Sequence, residues 1–251
     1  MLNLLDLRRF GRNKPMIVLL LVYCLFQVFG IFMQSQYPPA EVNGVSVPAL
    51  SEGEFMQHTL SIAPSWVLIY LTVFVVAFYM SEYNAGFYKN YISMRRARIY
   101  SVLSKIAVQA LFTLLLLIAV VLSDVVGRFW FFGNSSFGGV GLFTKVLAVQ
   151  FLLHWAFSVL VLCLIVIVRN MLTGVIAGIV LSFNIVGMAL SALETAIGSP
   201  RISPYLLVNT IVTPQDMGNG GDILHAVPVA AVFALLFAAI AVRRKLREDL
   251  R

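Results

Sequence analysis

Long apolar runs recur along this chain, and short polar or basic stretches separate them. Because an α-helix needs roughly 20 apolar residues to cross about 30 Å of hydrocarbon, each run is long enough to span a bilayer. We predict an all-α membrane protein in which residues 1–251 form a single six-span transmembrane domain. The predicted spans are about residues 16–33, 63–80, 106–123, 146–168, 171–193 and 223–242.

The first apolar run follows four basic residues, a pattern that cleaved signal peptides share. Its 18 residues exceed the usual hydrophobic core of a signal peptide, and the segment from Gln34 to Pro39 has no clear small-residue cleavage site. We therefore expect a retained span, with cleavage as the alternative. Spans four and five are separated only by Arg169 and Asn170, which predicts a tight antiparallel hairpin.

Composition excludes an ordinary soluble domain. Of the residues, 60% are hydrophobic and 12% are charged, whereas globular proteins have roughly 25% charged residues. The net charge of +7 comes from residues beside apolar runs, not from a separate basic domain, so we expect no nucleic-acid partner. Cys24 and Cys163 both lie within apolar runs and are expected to be packing residues, with neither a disulfide nor a metal site.

The basic residues also predict the orientation of the chain. Fifteen of the 18 Lys and Arg residues flank the predicted spans on one side, and only Arg128, Lys145 and Arg201 lie on the other. Cytoplasmic flanks of membrane helices are enriched in Lys and Arg because anionic lipid and the membrane potential retain cations there. We therefore expect a multi-pass protein of the cell membrane with both termini in the cytoplasm.

Motifs that would indicate catalysis are missing from the sequence. It contains no G-x4-G-K-[ST] phosphate loop, no G-x-S-x-G and no H-E-x2-H. We expect no catalytic site and no cofactor or metal bound by this chain, although an intramembrane enzyme remains an alternative. An ATP-independent secondary transporter is the other alternative, but it usually needs an intramembrane acid, and every charged residue lies near a predicted membrane boundary.

The predicted connection between spans two and three, residues 81–105, carries apolar positions at helical spacing. Such an amphipathic segment can lie flat under the bilayer and offer one face to a soluble partner. Its basic residues would also suit anionic lipid. Glu82 gains nothing from anionic lipid, so we expect it to have a specific partner.

The motif Glu82-x3-Gly86-x2-Lys89, followed by a basic turn at 95–98 and by Lys105, resembles the permeases of type-2 ABC exporters. These include bacterial peptide and drug exporters and lantibiotic-immunity permeases. The resemblance implies a coupling helix that docks on a separate ATP-binding cassette subunit, which binds ATP and magnesium. Met94 departs from the family pattern, which has Pro or Gly before the basic turn. The ATPase-coupling candidates implied are Glu82, Gly86, Lys89, Arg98 and Lys105.

The resemblance extends to the amphipathic N-terminus and to the long outside segment before span six. The N-terminal helix, with leucines and Phe10 interleaved with Arg8, Arg9 and Arg12, predicts an interfacial helix, and a flexible basic tail is the alternative. In the family this helix packs near the coupling helix. The resemblance also implies a dimer with a second copy or a related permease, whose first and fifth spans meet. It favours export of an amphipathic peptide, an antibiotic or a lipid-like molecule.

Polar residues recur inside the predicted spans. Gln150, His154 and Ser158 are four residues apart and therefore share one face of span four. They are candidates to line a translocation path, with Asn184 as a further candidate, and ordinary hydrogen bonding between helices is the alternative. Gly174, Gly178 and Ser182 form a small-residue face on span five, which predicts close packing against another span or a second subunit.

Overall fold

The computed structural model describes residues 2–37, 41–42, 44–62, 65–86, 95–134, 136–198, 202–213 and 220–247. A two-residue antiparallel hairpin, β1 (Glu41–Val42) and β2 (Val45–Ser46), lies among the helices, and short 3-10 turns cover Val47–Ala49 and Ser203–Tyr205. The helices are α1 (Leu2–Gly11), α2 (Lys14–Ser35), α3 (Glu52–Ser61), α4 (Trp66–Asn84), α5 (Arg95–Phe132), α6 (Val140–Val168), α7 (Met171–Ser182), α8 (Ile185–Ile197), α9 (Leu207–Val212) and α10 (Gly220–Leu246).

Five helices, α2, α4, α5, α6 and α10, are long and apolar enough to cross a membrane. The bent pair α7 and α8 makes a sixth span if it crosses as one unit. The chain is thus an all-α, multi-pass membrane protein, as predicted from the apolar runs, with five or six spans among the described residues.

Helix α5 is much longer than the span predicted at 106–123. It has 38 residues and begins inside the predicted connection 81–105. Its far end continues past Ser123, where the predicted span ends, to Phe132. An apolar run marks only the part of a helix that lipid can surround. The helix itself can extend beyond that part, because its backbone hydrogen bonds also form in water.

The run at 171–193, predicted as one span, is broken in the structure. Helix α7 ends at Ser182, α8 begins at Ile185, and the two axes differ by 42°. Asn184 occupies the left-handed region with φ 56°, which Asn tolerates better than most residues. Because the run remains hydrophobic on average, its hydropathy did not indicate this break.

Helix α6 lies at the centre of the bundle. It packs against α4, α5 and α10, and Leu153, Ala156, Phe157 and Leu162 on it are fully buried. These side chains join the main apolar core with residues of α4 and α5. The central position of α6 explains why its polar side chains have to find partners inside the protein.

The small-residue face of α7 packs against α4 of the same chain. A Cβ atom on Gly178 would collide with the Thr72 side chain, and one on Gly174 would lie 2.6 Å from Ile165 Cδ1 of α6. Ser182, which is buried, donates a hydrogen bond to the Gly178 carbonyl at 2.8 Å. The sequence left open whether this face packs against another span of the chain or against a second subunit. In the structure it packs against another span of the same chain.

The two ends of the bundle differ in chemistry. Helix α1, the end of α4, the start of α5 and the end of α10 lie together, and Arg98 of α5 donates to the Leu246 carbonyl of α10 at 3.0 Å. We call this the basic end. At the opposite end, α3 and the β-hairpin region lie over the end of α5 and the start of α6.

Candidate functional site

Four charged side chains from three helices meet at the basic end, and we call them the basic-end charge cluster. Glu82 Oε2 of α4 lies 2.7 Å from Lys105 Nζ of α5 and 2.9 Å from Arg9 of α1. Asp6 lies 3.7 Å from Lys105 and 3.8 Å from Arg9. Two acids therefore face two bases, which makes the cluster formally neutral.

The basic-end charge cluster is largely removed from solvent. Lys105 is 2% exposed, Asp6 6% and Glu82 7%. Arg9 is partly buried and makes further contacts with α4, donating to the Phe78 carbonyl at 2.7 Å and lying 4.5 Å above the Phe78 ring. Because each charge is compensated only while its partners stay in place, removal of one leaves an uncompensated buried charge, which costs about 3–5 kcal/mol.

The structure thus brings together two of the five predicted coupling residues. Glu82 and Lys105 pair directly, and Gly86 follows α4 with φ 72°, a conformation that favours glycine. Arg98 instead contacts the end of α10. Lys89 and the rest of 87–94 lie outside the described residues.

Sequence reasoning expected a specific partner for Glu82, and Arg9 and Lys105 of the same chain are partners in the structure. It did not identify Arg9 or Asp6 as members of the site. Their spacing of three residues on one helix was a signal for an ion pair between them, since residues three apart on a helix can form one. The contact of α1 with α4 and α5 could not be read from that spacing.

The N-terminal helix α1 is amphipathic in the structure as well. Its Phe10 side chain is buried and packs edge-on against Phe74 at 5.9 Å between ring centroids. Leu5 and Leu7 remain 61% and 45% exposed. One side of α1 is therefore attached to the bundle, while the other presents leucines to the surroundings, as an interfacial helix does.

The polar stripe of α6 faces the protein interior. Gln150, His154 and Ser158 are all fully buried. Gln150 donates to Gln57 of α3 at 3.3 Å and Ser158 donates to Gln109 of α5 at 3.4 Å, whereas His154 Nδ1 bonds the Gln150 carbonyl within α6 at 2.8 Å. This geometry favours the hydrogen-bonding interpretation of the stripe over a path lining.

Asn184 takes part in a different polar network, which braces the bend between α7 and α8. Its amide donates to Asn209 of α9, and Asn209 in turn donates to the Ser203 carbonyl at 2.7 Å. The Glu194 carboxylate accepts hydrogen bonds from Ile202 N–H at 2.7 Å and from the Ser203 hydroxyl at 2.6 Å. The network holds the segment 202–212 against the bent pair.

A groove of about 380 Å³ opens near the basic end between α2, α4 and α7. Its walls are mainly apolar, and Ser81, Asn84 and Asn13 add polar atoms. The outer faces of α2 and α7 beside it are exposed and apolar. Representative lining residues are Met16, Leu19, Val73, Phe74, Ala77 and Met171.

Arg128 organises the opposite end. It is buried and forms an ion pair with Glu52 of α3 at 2.5 Å, and it also donates to the Leu50 carbonyl. Burial raises the pKa of Glu52, and the hydrogen bond and charge of Arg128 oppose this increase. Hydrogen bonds from Ser51 lower the pKa of Glu54, which closes a capping box at the start of α3. The ion pair between Arg128 and Glu52 attaches helix α3 to α5.

Asp124 lies one turn before Arg128 on α5 and is fully buried. Gln27 of α2 donates to its Oδ1 at 2.7 Å, while Oδ2 has no hydrogen-bond partner among the described residues. The described ranges contain no group of three His, Cys, Asp or Glu side chains that could hold a metal ion.

No protein-family model matches the chain, and neither a curated protein nor a solved structure matches it.

Proposed function

We propose that this chain is the membrane-spanning permease subunit of an ATP-driven exporter in the cell membrane, with both termini in the cytoplasm. A separate ATP-binding cassette subunit, which binds ATP and magnesium, drives it. The observation that carries the proposal is the basic-end charge cluster, because Glu82 and Lys105 stand on either side of the segment 87–94 and bind each other.

In this proposal the basic-end charge cluster transmits force from the segment 87–94 to the helices of the bundle. A partner that pushes on 87–94 acts on the end of α4 and the start of α5, which Glu82 and Lys105 join. Arg9 adds α1 to the same unit. Buried polar networks with few alternative partners are rigid, so the three helices move together instead of bending separately. In this proposal the coupling candidates Gly86 and Arg98 belong to the same unit, Gly86 directly after α4 and Arg98 through its hydrogen bond to the end of α10.

The groove between α2, α4 and α7 is the better candidate for the translocation path than the stripe of Gln150, His154 and Ser158. It is open and mainly apolar, and it is lined by α2, by α4 and by Met171 at the start of α7. A second permease copy, or a related permease, would close it from the other side. Its apolar walls suit an amphipathic peptide, an antibiotic or a lipid-like molecule.

Purification from the native host tests the proposal. We expect the tagged chain to copurify with an ATPase, and we expect Glu82→Gln and Lys105→Met to lower substrate-stimulated ATP hydrolysis and export by about tenfold or more, since each leaves a buried charge unpaired. Lys145→Met, an exposed change at the opposite end, should behave as wild type. The double variant Glu82→Gln with Lys105→Met removes one acid and one base together and leaves Asp6 beside Arg9, so it should recover part of the activity. An ATPase-free complex, or normal export in both single variants, contradicts the proposal.

Asp124 favours a second candidate, an ATP-independent, ion-coupled transporter. The sequence placed Asp124 near a membrane boundary, and in the structure its carboxyl is fully buried and accepts a hydrogen bond from one amide, that of Gln27. Buried intramembrane acids often carry protons or cations through a transport cycle. Uptake or efflux by the purified chain in liposomes under a proton gradient, without ATPase and abolished by Asp124→Asn, would favour this candidate over the exporter.

A further inference from the structure

The groove between α2, α4 and α7 has one polar end and a long apolar part. Its polar side chains, Asn13, Ser81 and Asn84, lie at the basic end, whereas Leu19 and Val73 line the end that is farthest from it. None of the described residues that line the groove is charged. A molecule that fits this distribution has one polar group and one long apolar chain.

The dimensions of the groove match one leaflet of a bilayer. On α4 it runs from Val73 to Asn84, which is about 16 Å at the helical rise per residue. That length is about half of the roughly 30 Å of hydrocarbon in a membrane. A cavity of about 150 Å³ holds one benzene ring, so a groove of about 380 Å³ has room for roughly fifteen carbon atoms. This is the size of one lipid acyl chain.

The walls favour a hydrocarbon chain over a peptide. An extended peptide carries a backbone N–H and a C=O group at every residue, and each is costly to place in an apolar environment without a hydrogen-bond partner. Away from its polar end the groove offers residues such as Phe74, Ala77 and Phe78, whose side chains form no hydrogen bonds. An acyl chain has no polar groups to satisfy there.

Cations stand at the polar end of the groove. Arg12 and Lys14 flank Asn13 in the chain, both are exposed, and the ion pairs between described residues include neither of them. Arg169 lies two residues before Met171, which lines the groove from α7, and two residues span at most about 7 Å. Because the basic-end charge cluster is neutral by itself, these cations give the mouth of the groove a positive charge.

We propose that the groove binds one anionic phospholipid from the leaflet beside the basic end. One acyl chain lies along α2 and α4, and the phosphate lies at Arg12, Lys14 and Arg169. A zwitterionic phospholipid offers the same chain without the net charge, so the cations select the anionic lipid. That such a lipid is the exported molecule rests on the proposed exporter function; its binding in the groove does not.

Quenching by brominated lipid tests the site in the purified full chain, without ATP or ATPase. Met171→Trp, with Trp66, Trp130 and Trp155 replaced by Phe, places a single tryptophan at the groove. The chain is reconstituted in phosphatidylcholine that contains increasing fractions of brominated phosphatidylglycerol or brominated phosphatidylcholine. We expect the phosphatidylglycerol to quench saturably at low fractions, with a preference of about tenfold or more. Equal quenching by the two lipids at every fraction would overturn the proposal.

Charge variants separate the groove from general attraction of anionic lipid to the basic end. Arg12→Gln and Lys14→Gln should each lower the preference for phosphatidylglycerol about fivefold and leave quenching by phosphatidylcholine unchanged. The matched control is Arg244→Gln, which removes an exposed cation at the same end. It lies on α10, which contributes none of the described residues that line the groove, so this variant should keep the full preference. Equal loss in all three variants would refute a site at the groove.

Native mass spectrometry of the detergent-solubilised chain tests the place of the acyl chain. We expect the wild type to retain one phosphatidylglycerol and Ala77→Trp, which fills the groove, to lose it. Ala239→Trp, at an exposed alanine of α10, should retain the lipid. Retention by Ala77→Trp, or no lipid on the wild type, contradicts the proposal. A species of two chains without lipid would identify a second copy as the occupant and also contradict it.

The lipid site and the exporter function can fail separately. If phosphatidylglycerol binds at the groove but no ATPase copurifies with the chain, the lipid site stands and the exporter assignment falls. If an ATPase copurifies but the charge variants leave the lipid preference unchanged, only the lipid site is removed.

Discussion

Arg128 is among the largest fully buried side chains in the described part of the chain, and its position shows how single charges shape this protein. Its guanidinium lies against Glu52 and two backbone carbonyls, and it stands 5.4 Å from the centre of the Phe55 ring. Its Nε atom and Glu52 Oε1 have no hydrogen-bond partner among the described residues. The two side chains are therefore held in fixed positions, although the burial of each charge still costs desolvation free energy.

Removing one member of this pair should destabilise the protein strongly. We expect Arg128→Met to lower the free energy of unfolding by about 3–5 kcal/mol, because Glu52 is left buried without a counter-charge. Denaturant or thermal unfolding in detergent measures this change. The double variant Arg128→Met with Glu52→Gln should recover most of the loss, and Lys145→Met is the control. Equal stability of the single and double variants would show that the pair is not coupled.

His58 on α3 makes the stability of the opposite end depend on pH. Burial lowers its pKa below the ordinary value of 6.5, so the folded state holds the neutral ring where the unfolded chain already binds a proton. Stability should therefore fall as pH decreases through the ordinary histidine range and level off below the lowered pKa. Melting temperatures measured over that range should show the decline in the wild type and a flatter profile in His58→Gln. An identical slope in both would assign the decline to another group.

At the scale of elements, the break between α7 and α8 is the main departure from a regular helix bundle. Asn184 adopts a left-handed backbone conformation and also donates to Asn209 of α9. Gly187 lies so close to both asparagine side chains that a Cβ atom there would collide with them. Backbone conformation, side-chain hydrogen bonds and close packing therefore agree on the same bend, which is why it occurs in an otherwise apolar run.

Substitutions at Asn184 should separate these contributions. Asn184→Leu loses the hydrogen bond and adds about 1–2 kcal/mol of backbone strain, since a bulky residue disfavours this conformation. Asn184→Gly loses the hydrogen bond but fits the backbone, so we expect it to be the more stable of the two. Melting temperatures of the two variants compare them directly. If Asn184→Leu were as stable as Asn184→Gly, the left-handed bend would not be under strain.

At the scale of the whole molecule, the number of spans depends on whether α7 and α8 cross the membrane as one bent unit. In that case Asn170, before α7, and Ile197, at the end of α8, lie on opposite sides of the bilayer. Both side chains are exposed, and Cys24 and Cys163 can be replaced to give a cysteine-free background.

We expect Asn170→Cys to react with impermeant thiol reagents only from the cytoplasm, and Ile197→Cys only from the outside. Single-cysteine variants in intact cells and in inverted vesicles provide the measurement. Arg12→Cys, just before α2, is the control for the cytoplasmic side, because its side does not depend on how α7 and α8 cross. Labelling of both 170 and 197 from one side would identify α7 and α8 as a re-entrant pair and leave five spans.

Local chemistry made part of the candidate site predictable. Glu82 stood out because it is an acid among basic residues, and Lys105 because it opens the next apolar run; the two pair at 2.7 Å. Arg9 and Asp6 were missed because their contacts lie more than 70 residues away along the chain or across helices. The polar stripe of α6 was found by spacing, but spacing does not distinguish an interior contact from a path lining.

What the sequence determined by itself is the membrane-spanning, all-helical character of the chain, because hydropathy is a property of each segment and the bilayer imposes helices on apolar runs. The tertiary structure decided which polar groups meet. It placed Lys105 and Arg9 on Glu82, Arg128 on Glu52 and Asn209 on Asn184. Such pairings depend on how helices distant in sequence approach one another, and that approach results from the packing of the whole core, which no single segment contains.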